Sequence, residues 1–220
     1  MTNRILALDT TAEFGSIALL EGAVLVGELL LHSPDGFGHI LFPRIEMLLT
    51  LHGWTLDSVD CFAGSTGPGS FTGVRIGLAA VKGLAEGAGK RAIGVSSLEA
   101  LAQCGSAPLR ATVLDARRGE VYGALYSGAL DPVIAETVMK FPAWLETLPD
   151  GEMEFVSADF APFAAALKGT RFERMPVRTA PRALAAAVGQ VARRRVAQDP
   201  AAIDANYVRR SDAELLWKER

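Results

Sequence analysis

The chain has 220 residues, of which half are apolar and 21% are charged, and its formal net charge is −3. This composition is ordinary for a globular protein, and no apolar run reaches the length of a membrane span. We therefore expect a cytoplasmic protein without a membrane segment, and the early strand pattern that contains Asp9 argues against a signal peptide.

Apolar patterning predicts alternating strands and helices in the first half of the chain. Three strands joined by short turns are predicted at 5–10, 16–21 and 24–31. A helix follows, and its apolar stripe consists of Leu41, Ile45, Leu48, Leu49 and His52. The half then continues with a strand at 59–63, a glycine-rich loop, a long helix, a strand at 92–95 and a helix capped by Ser96 or Ser97.

A link over 105–108 leads into a second half that opens in the same way. Two strands are predicted at 111–114 and 120–126. Three helices are predicted after them, at 141–148, 160–167 and 181–196, the last with Pro181 at its first position.

A short repeat relates the two halves. One apolar strand ends in Asp9, and a turn and Gly15 then lead into a second strand. The same order recurs with Asp115 and Gly119. We therefore predict two related domains, 1–105 and 106–220, each beginning with a hairpin.

The glycine-rich loop is the most informative stretch of the sequence. It runs from Thr66 to Gly77 between a strand and a helix, and exposed N–H groups in such a loop can hold an anion. No Gly-Lys-Ser/Thr closes it, so it is not a Walker loop, and Pro68 removes one N–H donor. The candidate anion-binding residues are Gly67, Gly69, Ser70 and Thr72.

The helix after this loop has one face almost free of side chains. The face consists of Gly73, Gly77, Ala80, Leu84 and Gly87. Because glycine inside a helix costs roughly 1 kcal/mol relative to alanine, we expect a second helix to pack very close to this face. That helix belongs either to the same domain or to another subunit, and the spacing alone leaves both readings open.

Neither cysteine nor histidine spacing indicates a metal or redox site. Cys61 and Cys104 form no CxxC pair and are expected to be buried free thiols. The histidines at 32, 39 and 52 lack HxxxH or HExxH spacing, so no metal is expected.

The duplicated hairpins resemble those of the actin-like ATPase fold (ASKHA, ribonuclease H-like), an α/β fold of two related halves with mixed sheets flanked by helices. In that fold the two turns hold nucleotide phosphates. Here the turns are bulkier, with Thr10 and Thr11 after Asp9, and with Arg117 shortly after Asp115. We therefore treat these five residues as degenerate nucleotide loops that neither bind ATP tightly nor hydrolyse it.

Longer motifs make the chain similar to the TsaB (YeaZ) family, paralogues of TsaD in tRNA threonylcarbamoyladenosine biosynthesis. The matching stretches span nearly the whole chain. They are 5–10, 67–77, 93–98, 115–122 and 207–210. The family often has His followed by Ser or Thr where this chain has Phe37-Gly38, so no role for a histidine is expected there.

The resemblance implies a non-catalytic subunit that supports TsaD, which transfers threonylcarbamoyl to adenosine next to the anticodon of tRNA. It implies a homodimer when alone, TsaE as a third protein, contact with tRNA only through the complex, and no cofactor unless ATP lies at the complex interface. It also favours the interpretation in which another subunit packs on the helix face formed by glycine and alanine. The implied interface residues are Leu41, Ile45, Leu48, Gly73, Gly77, Ala80 and Leu84.

Two other functions stay open at this point. An actin-fold phosphotransferase would require ATP binding by the isolated chain. A protease is the other alternative, since the wider family was once labelled glycoprotease, but Ser70 and Thr72 have no histidine near them in sequence.

The C-terminal segment 168–220 carries a charge balance of +6, against −9 for the rest of the chain. Such asymmetry is typical of a surface that meets an acidic partner or a polyanion. Because no aromatic residues are interleaved with these arginines as base-stacking platforms, we expect the segment around Arg209 and Arg210 to dock a protein rather than tRNA.

Overall fold

The computed structural model describes residues 4–208. Its first half contains a five-stranded mixed sheet in the order β3-β2-β1-β4-β5. β1 pairs antiparallel with β2 and parallel with β4, while β3 and β5 form the edges through antiparallel and parallel pairing respectively. The strands are β1 (Arg4–Asp9), β2 (Phe14–Glu21), β3 (Val24–His32), β4 (Cys61–Ser65) and β5 (Arg91–Val95).

The second half repeats this topology in a second five-stranded sheet. Its order is β10-β9-β6-β7-β8, with β6 antiparallel to β7 and parallel to β9. The pairings of the two sheets therefore correspond strand for strand, which confirms the predicted duplication and the actin-like fold. The strands are β6 (Leu109–Arg117), β7 (Glu120–Ser127), β8 (Pro132–Lys140), β9 (Met153–Ser157) and β10 (Val177–Thr179).

Helices form three layers around the two sheets. α1 and α2 cover the outer face of the first sheet, α3 and α6 fill the space between the sheets, and α4 and α5 cover the outer face of the second sheet. The helices are α1 (Leu41–Leu51), α2 (Phe71–Ala88), α3 (Ser97–Gln103), α4 (Phe141–Thr147), α5 (Ala161–Ala164) and α6 (Ala185–Ala192). Within residues 4–208 no helix is both long and apolar enough to cross a membrane.

The last helix starts later than predicted, and the reason is a contact with the first sheet. Instead of beginning at Pro181, α6 is capped by the Ser16 hydroxyl of β2, which accepts hydrogen bonds from the N–H groups of Leu184 (3.0 Å) and Ala185 (2.9 Å). A side chain added at Gly189 would lie 2.2 Å from Leu20. Residue 105 thus separates the two sheets, whereas α6 returns to pack on the first one.

Candidate functional site

The glycine loop and the start of α2 pack directly on the β1–β2 turn. A Cβ atom at Gly73 would lie 1.9 Å from the Thr10 carbonyl oxygen, and one at Gly69 would lie 2.4 Å from the Thr11 carbonyl oxygen. A Cβ atom at Gly77 would lie 2.4 Å from Thr10 Oγ1. These three positions therefore need glycine because a turn of the same chain approaches them. The close neighbour of these three glycines in this chain is a loop, and the packing of a second helix on the same face stays a prediction.

Hydrogen bonds join the same two segments. The N–H of Ser70 donates to the Thr11 carbonyl at 2.7 Å, and Thr10 Oγ1 donates to the Gly73 carbonyl at 2.7 Å. The Gly67 carbonyl accepts from the N–H of Ser97 at 2.8 Å, at the start of α3. The loop thus uses these donors and acceptors within the chain, and they are not directed at a ligand.

Of the predicted loop residues, Gly67 is buried, whereas Gly69, Ser70 and Thr72 are exposed. Thr72 lines an open cleft of about 410 Å³ between the start of α2, the β1–β2 turn and the segment that follows β3. Ser70 reaches the same cleft but also caps α2, since its hydroxyl accepts from the N–H of Gly73 at 3.3 Å.

The first aspartate of the repeat is withdrawn from solvent. Asp9 is only 2% exposed, and its Oδ1 accepts hydrogen bonds from Thr11 Oγ1 (2.8 Å) and the N–H of Thr11 (3.2 Å). Burial raises the pKa of Asp9, and the hydrogen bonds from Thr11 oppose that rise. A carboxylate that binds magnesium–nucleotide must face the ligand, so Asp9 and its turn do not fit that group.

The second turn has a different geometry. Arg117, Arg118 and Gly119 all have positive φ, at 69°, 55° and 72°. Asp115 is exposed, and it accepts a hydrogen bond from the N–H of Arg117 at 2.7 Å and pairs with the Arg117 guanidinium at 3.5 Å. Each aspartate therefore accepts a hydrogen bond from the N–H two residues further on and closes its own turn, but Asp9 is buried and Asp115 is exposed.

The apolar residues of the predicted partner interface lie inside the protein. Leu41, Ile45, Leu48 and Ala80 are buried in the core beneath α1 and α2, and Leu84 is half-buried against it. Gly73 and Gly77 are covered by Thr10, as described above. These side chains form the inner face of the two helices, so a partner docking on α1 and α2 would meet other residues. The interface itself stays a prediction.

A polar cluster that the sequence did not reveal joins the two halves. The Glu136 carboxylate of β8 accepts hydrogen bonds from the hydroxyls of Ser96 and Tyr126 and from the Asn206 side-chain amide. Burial and the neighbouring Glu136 carboxylate raise the pKa of Tyr126. The four residues come from four separate parts of the chain, so no local pattern could have indicated this cluster.

An aromatic and arginine cluster lies at the end of the described chain. The Arg75 guanidinium stacks 3.7 Å from the Phe71 ring centroid, and Arg75 Nε donates to the Tyr207 hydroxyl at 3.1 Å. The Phe71 and Tyr207 rings are 5.5 Å apart. The Tyr207–Arg210 motif is thus only partly described, because Arg209 and Arg210 lie outside residues 4–208.

Both cysteines are free thiols. Cys61 is buried and Cys104 is half-buried, and burial raises the pKa of each thiol to about 11. In the described part of the chain, no three His, Cys, Asp or Glu residues are grouped so that they could hold a metal ion.

Known proteins that this chain resembles carry names from tRNA threonylcarbamoyladenosine biosynthesis or its transferase. The family model described as TsaD, tRNA N6-adenosine threonylcarbamoyltransferase, matches residues 36–209. The tRNA threonylcarbamoyladenosine biosynthesis protein TsaB of Escherichia coli is 42% identical over 127 residues, which are 56% of this chain and 54% of that protein. TsaB of Bacillus subtilis is 34% identical over 66% of each chain. The chain thus spans about half to two thirds of the length of these relatives.

The fold is similar to that of a solved relative over almost its whole length. YeaZ from Pseudomonas aeruginosa superposes with a TM-score of 0.75 and 27% sequence identity, covering 93% of this chain and 99% of that one.

Proposed function

Because this chain belongs to the TsaD family and, within it, to the TsaB/YeaZ group, we propose that it acts as a non-catalytic partner subunit in tRNA threonylcarbamoyladenosine biosynthesis. The observation that carries this proposal is the 42% identity to a protein of that name. In the proposed complex TsaD transfers the threonylcarbamoyl group to the adenosine next to the anticodon, and TsaE joins the pair.

The geometry of the glycine loop supports a non-catalytic role. Asp9 is buried and bonded to Thr11, and the Ser70 N–H is bonded to the Thr11 carbonyl. Groups that would otherwise meet a nucleotide thus hold the β1–β2 turn against α2. ATP would contact this chain only at an interface with TsaD.

The proposed docking surface is the outer face of α1 and α2. On α1, Met47 and Leu51 lie one turn apart on the same side of the helix and are 41% and 73% exposed. On α2, Ala79 and Gly83 are exposed small residues, and no atom lies within 4 Å of the position that a Cβ of Gly83 would take. Apolar side chains beside small residues let another helix approach closely. The same face would form the homodimer of the isolated chain.

The test introduces charge or bulk on this face. Ala79→Arg and Met47→Asp should abolish both self-association and co-purification with the cognate TsaD, because a buried unpaired charge is costly at an interface. Sedimentation velocity and a reconstituted modification assay measure the two effects. Val24→Asp, at an exposed position on the edge strand β3, is the control and should change neither. Normal TsaD binding by both variants would contradict the proposal.

A separate measurement concerns catalysis. We expect the purified chain to show no ATPase turnover above that of the Asp9→Ala variant, since the Asp9 carboxylate is withdrawn from solvent. Turnover by the wild-type chain that disappears in Asp9→Ala would favour the phosphotransferase alternative.

A further inference from the structure

Phe71, Arg75 and Tyr207, here called the aromatic cluster, form an exposed surface of unusual chemistry. Phe71 and Tyr207 are 43% and 49% exposed. Arg75 stacks on Phe71 and donates a hydrogen bond to the Tyr207 hydroxyl. Arg75 and Tyr207 are 132 positions apart in the sequence. Two large rings and a guanidinium group thus converge at the surface, where nearly half of each ring residue is exposed.

The chain before Tyr207 is firmly anchored, so the ring is presented in a defined position. The Asn206 N–H donates to the Thr66 carbonyl at 2.7 Å, and its side-chain amide donates to Glu136. The Asn206 carbonyl also packs against Gly67, where a Cβ would lie 3.2 Å away. An exposed ring that is ordered before binding loses little conformational entropy when a ligand stacks on it.

The cluster also carries positive charge. Arg75 is exposed, and among residues 4–208 it forms no ion pair with a carboxylate. Arg209 and Arg210 follow Tyr207 in the sequence, separated from it only by Val208. Phe71 and Arg75 lie on the same i, i+4 row of α2 as Ala79 and Gly83, so the aromatic cluster borders the proposed docking face.

We propose that the aromatic cluster is a stacking platform for unpaired bases of RNA. Aromatic rings and arginine planes stack on splayed bases, and arginine also binds the adjacent phosphate. The sequence favoured a protein partner because no aromatic residue was interleaved with the C-terminal arginines, but the fold brings Phe71 of α2 next to Tyr207. This inference rests on the proposed function, in which the RNA is the tRNA substrate.

The test measures RNA binding by the full chain, alone and paired with the cognate TsaD. The probes are a fluorescein-labelled, unmodified tRNA transcript, a 12-nucleotide oligoadenylate and an RNA duplex of the same length. Tyr207→Leu should weaken binding of the first two about five- to a hundredfold, whereas Tyr207→Phe, which keeps the ring, should change it less than about twofold. Arg75→Gln should weaken binding and reduce the salt slope by about one.

Val133→Ala and Arg194→Gln change exposed residues elsewhere on the surface and should leave RNA affinity unchanged. The inference is overturned by equal binding of the duplex, by absence of RNA binding in the wild-type complex, or by unchanged affinity in Tyr207→Leu. Unchanged RNA affinity together with faster amide exchange at Asn206 would identify the cluster as a clamp for the C-terminal segment. Association with TsaD is measured separately by sedimentation, so failure here leaves the proposed function standing.

Discussion

The glycines at 69, 73 and 77 are required by one neighbour, the β1–β2 turn. At Gly73 the obstacle to a side chain is the backbone carbonyl of Thr10, which cannot move without shifting the end of β1. Gly87, in the last turn of the same helix, is exposed and has no atom within 4 Å of its Cβ position. Glycine is therefore required near the start of α2, whereas near its end there is room for a side chain.

Gly73→Ala should destabilise the protein by roughly 1–3 kcal/mol, because the methyl group overpacks a rigid contact. Gly87→Ala should instead stabilise it by a few tenths to about 1 kcal/mol, since alanine restricts the unfolded chain. Urea unfolding of the two variants measures both effects. By the same reasoning, Gly77→Leu should damage the fold before it affects association. Equal stability of Gly73→Ala and wild type would contradict the contact with Thr10.

The sequence predicted that these glycines serve a close approach, but it could not identify what approaches. Glycine spacing reports only that one helix face lacks side chains. The neighbour, Thr10, is fixed by the pairing of β1 with β2 and β4, which is a property of the whole sheet. Likewise, the apolar periodicity of α1 shows that Leu41 and Ile45 share a helix face, but it does not show whether that face is covered by the core or by a partner.

At the scale of elements, the link between the two halves is held by one buried carboxylate. Glu154 of β9 accepts hydrogen bonds from the N–H groups of Ser106 and Ala107, the latter at 2.7 Å, and from Arg178 Nε at 3.0 Å. Burial alone would raise the pKa of Glu154, but the bonds from Ala107, Ser106 and Arg178 outweigh it, so the pKa lies below its usual range.

Glu154→Gln should destabilise the protein by about 1–3 kcal/mol at pH 7, because hydrogen bonds to a charged group are lost. A carboxyl group with a lowered pKa contributes stability above the pKa of the unfolded chain and loses it as the pH falls through the folded value. The difference between wild type and Glu154→Gln should therefore shrink as the pH falls below the usual pKa of 4.5 and vanish below the lowered pKa of the folded protein. Unfolding across pH 2 to 7 measures it, with Glu152→Gln, an exposed neighbour, as the control. A difference that persists in acid would show that charge is not the cause.

Glu154 also explains why β9 was not predicted. A glutamate in a five-residue strand that is buried throughout has no period-2 pattern, and its partners lie 24 to 48 residues away. β10 was not predicted either, because its three residues are all exposed and show no alternation of apolar and polar side chains. In contrast, β1 to β7 were all predicted, because their apolar runs are bounded by glycine or by charged turns. α6 was placed at the wrong residue since its cap, Ser16, comes from β2.

At the scale of the whole molecule, the first sheet depends on the end of the chain. Its inner face, including Ile5, Ala18 and Leu20, is covered by α3 and α6, and Ile203 fills the core on its other face. The fragment 1–105 contains all five strands of this sheet, yet it lacks α6 and the segment around Ile203.

We expect the fragment 1–105 not to reach a packed native state, because the part of the sheet face that α6 covers stays exposed. It should retain far-ultraviolet circular dichroism but lose near-ultraviolet bands and bind ANS. Joining residues 181–208 to it through a flexible linker is the matched comparison and should reduce ANS binding. A cooperative thermal transition in the fragment alone would show that α6 is dispensable for the first half.

The return of α6 to the first sheet also has a consequence during synthesis. About 80 residues separate the end of α3 from the start of α6, so at roughly 5–20 residues per second a ribosome needs on the order of 4–16 s to supply the missing helix. During this interval β1, β2 and β4 have emerged with one apolar face uncovered. The nascent chain therefore passes through an aggregation-prone stage that a chaperone can recognise, and slower translation of the second half would prolong it.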